Sequence, residues 1–304
     1  FFEVPLPKEV TKPSVIKAYS MANKNNLFEK FAIWKQGNKY TSHYKKYPVI
    51  SITLKNAKQD DWADCYEVLS RIIAEEYDRH GYLLDSNKLN ESEQIEFKNI
   101  SFGKSSEIIL KNSLKKLIGY LYRYHNQKVI VLIDEYDTPV HEAFEYGFYS
   151  EIIGFLKSFL GAALKDNEHL EKAVITGILR VTKENLFSDL NNPKIVTILD
   201  NIYADKFGFT EEEVIQFLKD YEIENRLEDV RHWYNGYTIG NKSIYNPWSI
   251  INFVDSHQEG FKPYWINTSG NRLVNHLLAR SDKSVKEELE QLIQNKSITK
   301  RIDS

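Results

Sequence analysis

Residues 128–139 read Lys-Val-Ile-Val-Leu-Ile-Asp-Glu-Tyr-Asp-Thr-Pro, and this stretch narrows the possible folds more than any other. The aliphatic run Val129–Ile133 has no polar alternation, so both of its faces call for burial, as in the central strand of a parallel sheet. Asp134 and Glu135 follow at its C-terminal end, the edge where open α/β sheets hold their ligands.

A strand that ends in acids has two readings. Solvated acids at a strand end are common in any α/β protein. Alternatively, a first carboxylate that holds Mg²⁺ through water, followed by a Glu that polarises an attacking water, is the Walker B arrangement of nucleotide hydrolysis. The residues alone leave both open.

The chain has 304 residues, room for one large or two ordinary domains with cores of their own. A net charge of −3 announces neither a nucleic-acid nor a membrane surface. The one cysteine, Cys65, excludes an internal disulfide framework and a Cys-based zinc cluster, and suits a reducing, cytoplasmic compartment. No apolar run approaches the roughly 20 residues of a membrane helix. The histidines show no ligand spacing such as HxxxH. The chain opens on Phe1 rather than Met, so a longer parent protein is expected.

Residues 1–46 are polar and broken by Pro5, Pro7 and Pro13, with a short helix over Ser14–Met21. Tyr47–Leu54 reads as the first strand, rich in β-branched residues. Asp60–Tyr77 follows at helical period, with Trp62, Tyr66, Leu69, Ile72 and Ile73 on one face and Cys65 as packing. Leu83–Lys98 reads as a surface loop with a short helix. Ser105–His125 and Phe148–Leu164 read as apolar-faced helices, and Ala173–Gly177 and Ile195–Leu199 as further short apolar runs. Strands separated by helices predict a parallel sheet with crossovers.

The texture changes near Lys206. Thr210 is an N-cap with Glu213 at the capping-box position, and Ser249–Val254 turns helical. Trp233, Tyr234, Tyr237, Tyr245 and Trp248 are interleaved with turn residues; a core for a small domain is favoured over a base-stacking surface. The domains expected are 1–205, an α/β domain; 206–280, smaller and mainly helical; and 281–304, a charged helix leading onward.

A phosphate-binding loop needs a glycine-rich turn between a strand and a helix, because backbone N–H groups must approach the phosphates and a Lys must reach them. No such turn is visible. Gly103-Lys104-Ser105 imitates the end of the motif but follows no buried strand, and reads as a loop before a helix. Asp137 could join a metal cluster or cap the turn before Pro139, the turn being favoured. Thr176 ends its strand where nucleotide-hydrolysing proteins often keep a polar sensor; Arg180 suits phosphate but equally a surface salt bridge. A metal-nuclease centre of Asp134, Glu135 and Asp137 lacks a nearby ExK-type lysine and a basic substrate surface.

Taken together, several segments resemble the AAA-ATPase-like family of bacterial and archaeal proteins, members of which commonly carry a C-terminal PD-(D/E)XK nuclease domain. They are Val131–Pro139, Ala162–Glu168 with Leu170–Ala173, Thr176–Lys183, Asn185–Asn192, Phe207–Val214, Trp233–Tyr237, Tyr245–Ser249 and Tyr264–Ser269. The resemblance covers roughly residues 27–280. It implies a P-loop NTPase-like fold of the AAA/STAND type: a parallel sheet flanked by helices, with a smaller helical domain behind it. It further implies binding of ATP and Mg²⁺, with Asp134 on the metal, Glu135 on the attacking water, and Thr176 and Arg180 at the sensor position. The family's Phe-Gly-Lys-Ser/Thr stretch has no counterpart ahead of Leu27, where the chain reads Pro5-Leu-Pro-Lys-Glu-Val-Thr-Lys-Pro13. The partners expected are a nuclease domain in cis, a protein partner or a second copy, with nucleic acid reached only through an absent domain. The alternative to an ATPase is a non-catalytic regulatory module serving such a nuclease.

Overall fold

The computed structural model describes residues 28–178, 190, 193–264, 278–279, 281–294 and 296–299. The chain divides into two compact units, Phe1–Pro193 and Lys194–Ser304. No helix among the described residues is long and apolar enough to cross a membrane.

Among the described residues, the first unit holds three parallel strands: β1 (Val49–Thr53), β2 (Val129–Asp134) and β3 (Leu170–Ile175). Their spatial order is β1-β2-β3, so the Val129–Ile133 run is central, as its composition predicts. Parallel neighbours need crossovers of a dozen residues or more, and helices supply them. Between β1 and β2 lie α1 (Trp62–Arg79), α2 (Glu91–Ser101) and α3 (Glu107–His125). Between β2 and β3 lie α4 (Thr138–Tyr146) and α5 (Tyr149–Leu164).

Local chemistry sets the helix ends. The Asp61 carboxylate caps α1 by accepting from the Asp64 N–H at 2.9 Å. Asn90 and Glu93 form a capping box on α2, and the short helix expected within Leu83–Lys98 is this 11-residue element, which runs on to Ser101. Asn126 closes α3 in a left-handed conformation, φ 48°. Gly103-Lys104-Ser105 joins α2 to α3 as a loop, in agreement with the sequence reading.

One face of the sheet is packed. Ile50, Ile52, Val131 and Ile133 enter a single buried cluster with Leu69, Ile73, Leu114, Leu117, Ile118, Phe155 and Leu156. Cys65 is fully buried, and that burial pushes its thiol up to about 12, which makes it packing rather than chemistry. Of the face expected on α1, Leu69 and Ile73 are buried while Trp62, Tyr66 and Ile72 lie at its margin.

On the opposite face the expected burial holds at Ile130 and fails toward the C-terminal end of the strands. Ser51, Leu132 and Val174 stand in register across the strands and are exposed, Leu132 at 38%. Burial on this face is confined to its start, where Ile130 packs with Tyr47 and Val49; within the run Leu132 is the exposed residue.

Ile195–Leu199 also departs from expectation. It forms no strand: Ile195, Ile198 and Leu199 are exposed, and the Asp200 carboxylate accepts from the Thr197 N–H at 2.7 Å. A side chain that satisfies the backbone locally competes with a sheet ladder.

The second unit contains α6 (Glu211–Asp220), α7 (Leu227–Tyr234), a hairpin of β4 (Asn235–Ile239) and β5 (Lys242–Tyr245), α8 (Pro247–Asp255) and α9 (Lys283–Ile293). The Thr210–Glu213 capping box on α6 is present as read from the sequence. Val214, Leu218, Val230, Tyr234, Tyr245, Ile250 and Phe253 form its core. The hairpin adds strand to a region expected to be mainly helical; its sequence signal was the two-residue Gly240-Asn241 loop. Tyr234 and Tyr245 are core as expected, but Trp233, Tyr237 and Trp248 are 49%, 45% and 53% exposed.

Candidate functional site

Asp134 ends the central strand and Thr176 follows directly on β3. Parallel pairing brings the two ends side by side: the Thr176 N–H donates to the Ile133 carbonyl at 2.9 Å, and the Tyr136 N–H donates to the Thr176 carbonyl at 3.1 Å. Thus held from both directions, the Thr176 hydroxyl donates to Asp134 Oδ1 at 2.5 Å. Thr53 stands in register with Asp134 on the other side. Hydroxyl, carboxylate and hydroxyl therefore end three adjacent strands, and all three residues are exposed.

Glu135 turns the chain. Its φ of 52° lies in the left-handed region, which costs a residue with a Cβ about 1–2 kcal/mol. The turn lets Tyr136 reach Thr176. The half-buried Glu135 side chain accepts from the Thr138 hydroxyl at 3.2 Å, at the start of α4.

Asp137 stands at the turn before Pro139 that the sequence favoured for it. It occupies the N-cap position of α4, yet its side chain makes no capping hydrogen bond. Its carboxylate is 1% exposed, and Oδ2 accepts from the Ile178 N–H at 2.8 Å. His141 Nε2, one turn along α4, lies 3.5 Å from the same oxygen. The partially positive N-terminus of α4 favours a carboxylate here. Sequence reasoning missed this role because Ile178 is distant in the chain and contributes only a backbone N–H. The one hint was Gly177, where a Cβ would come 2.6 Å from Asp137 Oδ1.

The structure thus brings Asp134, Glu135 and Thr176 to one sheet edge. Arg180 lies outside the described residues. Elsewhere among the described residues, the carboxylates of Asp60, Asp61 and Asp64 offer oxygens within 4.8 Å of one another, but Asp61 is engaged in capping α1.

A family profile described as "Predicted AAA-ATPase" matches residues 14–187, more than half of the chain. The chain belongs to the AAA-ATPase-like family. A relative described as "Uncharacterized protein in vnfD 5'region", from Azotobacter chroococcum mcd 1, is 29% identical to this AAA-ATPase-like chain over 154 residues. That match covers 50% of the chain and 29% of the relative, so the chain spans less than a third of that protein's length. No solved structure matches.

Chemically, the edge is suited to a hard cation carried through water. Carboxylate and hydroxyl oxygens are the donors Mg²⁺ prefers, and Asp134 Oδ2 is left to it when Thr176 holds Oδ1. The phosphate half of an ATP site, a glycine-rich turn with its Lys, finds no matching residues in the sequence.

Proposed function

We propose that this AAA-ATPase-like chain is a nucleotide-binding domain of the P-loop NTPase (AAA/STAND) kind that takes ATP with Mg²⁺ at the C-terminal edge of its parallel sheet. The observation that carries the reading is the Thr176–Asp134 hydrogen bond at the end of the central strand, in a chain whose family is described as an ATPase. Asp134 would hold the hydrated metal, Glu135 would orient the attacking water, and Thr176 with Arg180 would contact the terminal phosphate. Mg²⁺ supplies neutralisation of the charge that develops on the phosphates during transfer. The chain's own contribution is orientation: the hydroxyl fixes the rotamer of the metal-side carboxylate, and the left-handed turn at Glu135 sets the second acid against the Thr138 hydroxyl.

A specific feature favours a second reading, a non-catalytic regulatory module in a larger nuclease-type protein. No GxxxxGK[ST] segment occurs within these 304 residues, and a domain that lacks its backbone donors and Lys would have little electrostatic stabilisation for phosphoryl transfer. Calorimetry separates the two. A saturable isotherm with ATP and Mg²⁺, reduced in Asp134→Ala, supports the nucleotide site; no heat at millimolar nucleotide would sink it and leave the regulatory reading. A cytoplasmic location and a protein partner or second copy belong to the same proposal.

A further inference from the structure

The loop that carries Thr176 does not hold itself in place. After β3 ends at Ile175, residues 176–178 run on without regular structure, and each is exposed. All three are nevertheless gripped by the end of β2 and the segment that follows it. Thr176 is held by backbone hydrogen bonds to Ile133 and Tyr136. Gly177 packs so closely that a Cβ there would lie 2.6 Å from Asp137 Oδ1 and 2.7 Å from Tyr136 Cε1. Ile178 donates its N–H to Asp137 Oδ2 at 2.8 Å. The grip ends on a carboxylate that is itself almost completely buried.

Burying a carboxylate is costly unless hydrogen bonds and local dipoles compensate. Here it is set at the N-terminus of α4, with His141 one turn away, and it spends an oxygen on the β3 loop rather than on capping its own helix. An ordinary N-cap would place that oxygen on the helix's own N–H groups. The arrangement stabilises one conformation of residues 176–178 in particular.

We infer that Asp137 is the positioning residue of the site: by holding the Gly177–Ile178 peptide, it keeps the Thr176 hydroxyl aimed at Asp134. The functional consequence rests on the nucleotide reading above; the structural one does not. Gly177 is the other half of the clamp, because only a residue without a side chain lets the Asp137 carboxylate come this close.

The experiment uses the 304-residue chain and two readouts. Amide hydrogen exchange by NMR without nucleotide should show Ile178 exchanging about tenfold faster in Asp137→Ala, the order expected for loss of one hydrogen bond to a charged group, while α5 and β1 keep their protection. Asp137→Asn retains an acceptor oxygen and should restore most of the protection. Gly177→Ala attacks the clamp from the other side with the carboxylate intact; it should reproduce the Asp137→Ala exchange pattern, and the double variant should be no worse than either single one. Should Asp137→Ala fail to fold, Gly177→Ala and Asp137→Asn carry the test. Unchanged Ile178 exchange in the folded variants overturns the inference.

The second readout is ATP with Mg²⁺. If the wild-type chain hydrolyses it, Gly177→Ala and Asp137→Ala should lower kcat about tenfold with little change in KM, and Asp137→Asn should recover it; unaltered kcat despite faster exchange also overturns the positioning role. If the wild-type chain neither binds nor hydrolyses ATP, the nucleotide reading falls, and the exchange result alone decides whether Asp137 holds the loop.

Discussion

The Thr176 hydroxyl and the Asp134 carboxylate, 42 residues apart in the chain, meet at 2.5 Å across the seam between β3 and β2. Thr176→Val keeps shape and removes the donor. Because Thr176 is exposed, stability should change by no more than about 0.5 kcal/mol. The Mg²⁺ concentration for half-maximal nucleotide binding should rise about tenfold, as for loss of a charge-assisted hydrogen bond. Titration of Mg²⁺ at fixed ATP checks it; an unmoved midpoint would detach Thr176 from the metal side.

Glu135 separates chemistry from backbone strain. Glu135→Gln leaves the left-handed turn and its Thr138 contact in place, so folding should be nearly unchanged while any ATPase activity disappears. Glu135→Gly relieves a φ of 52° and should raise stability by up to about 1 kcal/mol, again without activity. Urea denaturation beside a phosphate-release assay gives both numbers. A wild-type rate in Glu135→Gln removes this residue from the mechanism.

The two faces of β2 should respond differently to truncation. Ile133 is 2% exposed within the cluster beneath the helices, and Ile133→Ala should cost about 2–5 kcal/mol. Leu132, one residue earlier, faces the open side, and Leu132→Ala should cost less than about 1 kcal/mol. Equal costs in chemical denaturation would mean that the second face is covered too.

Acid should weaken the first unit through a polar chain beside β1. Glu76 accepts from the Ser51 N–H at 3.0 Å and pairs with Arg79 and His80; Tyr82 bridges His80, at 3.2 Å, to His125, at 2.9 Å. Burial, then the neighbouring His80, lowers His125 from its ordinary 6.5 to about 4. A histidine whose folded pKa is depressed contributes stability above pH 6.5, and this is lost as pH falls toward 4. Burial tends to raise the Glu76 carboxyl, but hydrogen bonds from His80 and Arg79 outweigh it and leave it lowered, so its contribution is also lost in acid. Stability measured between pH 7 and 4 should therefore fall, with a slope of up to about 1.4 kcal/mol per pH unit for each proton taken up. His125→Phe should flatten the upper part of that fall; an unchanged slope would exonerate His125.

Much of this protein was legible residue by residue. The aliphatic run before Asp134 specified a central strand, helical periodicity placed α1, α3 and α5, and Thr210 with Glu213 marked the start of α6. These signals are local, because each concerns residues within a turn or a strand of one another. The family, too, was readable from ordered motifs, and the profile match over residues 14–187 established it.

Other features depended on residues that meet only after folding. Nothing in an unbroken aliphatic run tells that Leu132 will face outward, since that follows from which side the helices pack on. Asp137 looked like a turn residue or a metal ligand; its partner is the Ile178 backbone N–H, a group every non-proline residue carries and no sequence pattern can flag. The residues alone determined the three strands of the sheet, the long helices between them and that two acids would follow the central strand. Only the tertiary structure decided what those acids touch, because hydrogen-bond partners across parallel strands are set by register and crossover rather than by neighbours in the chain.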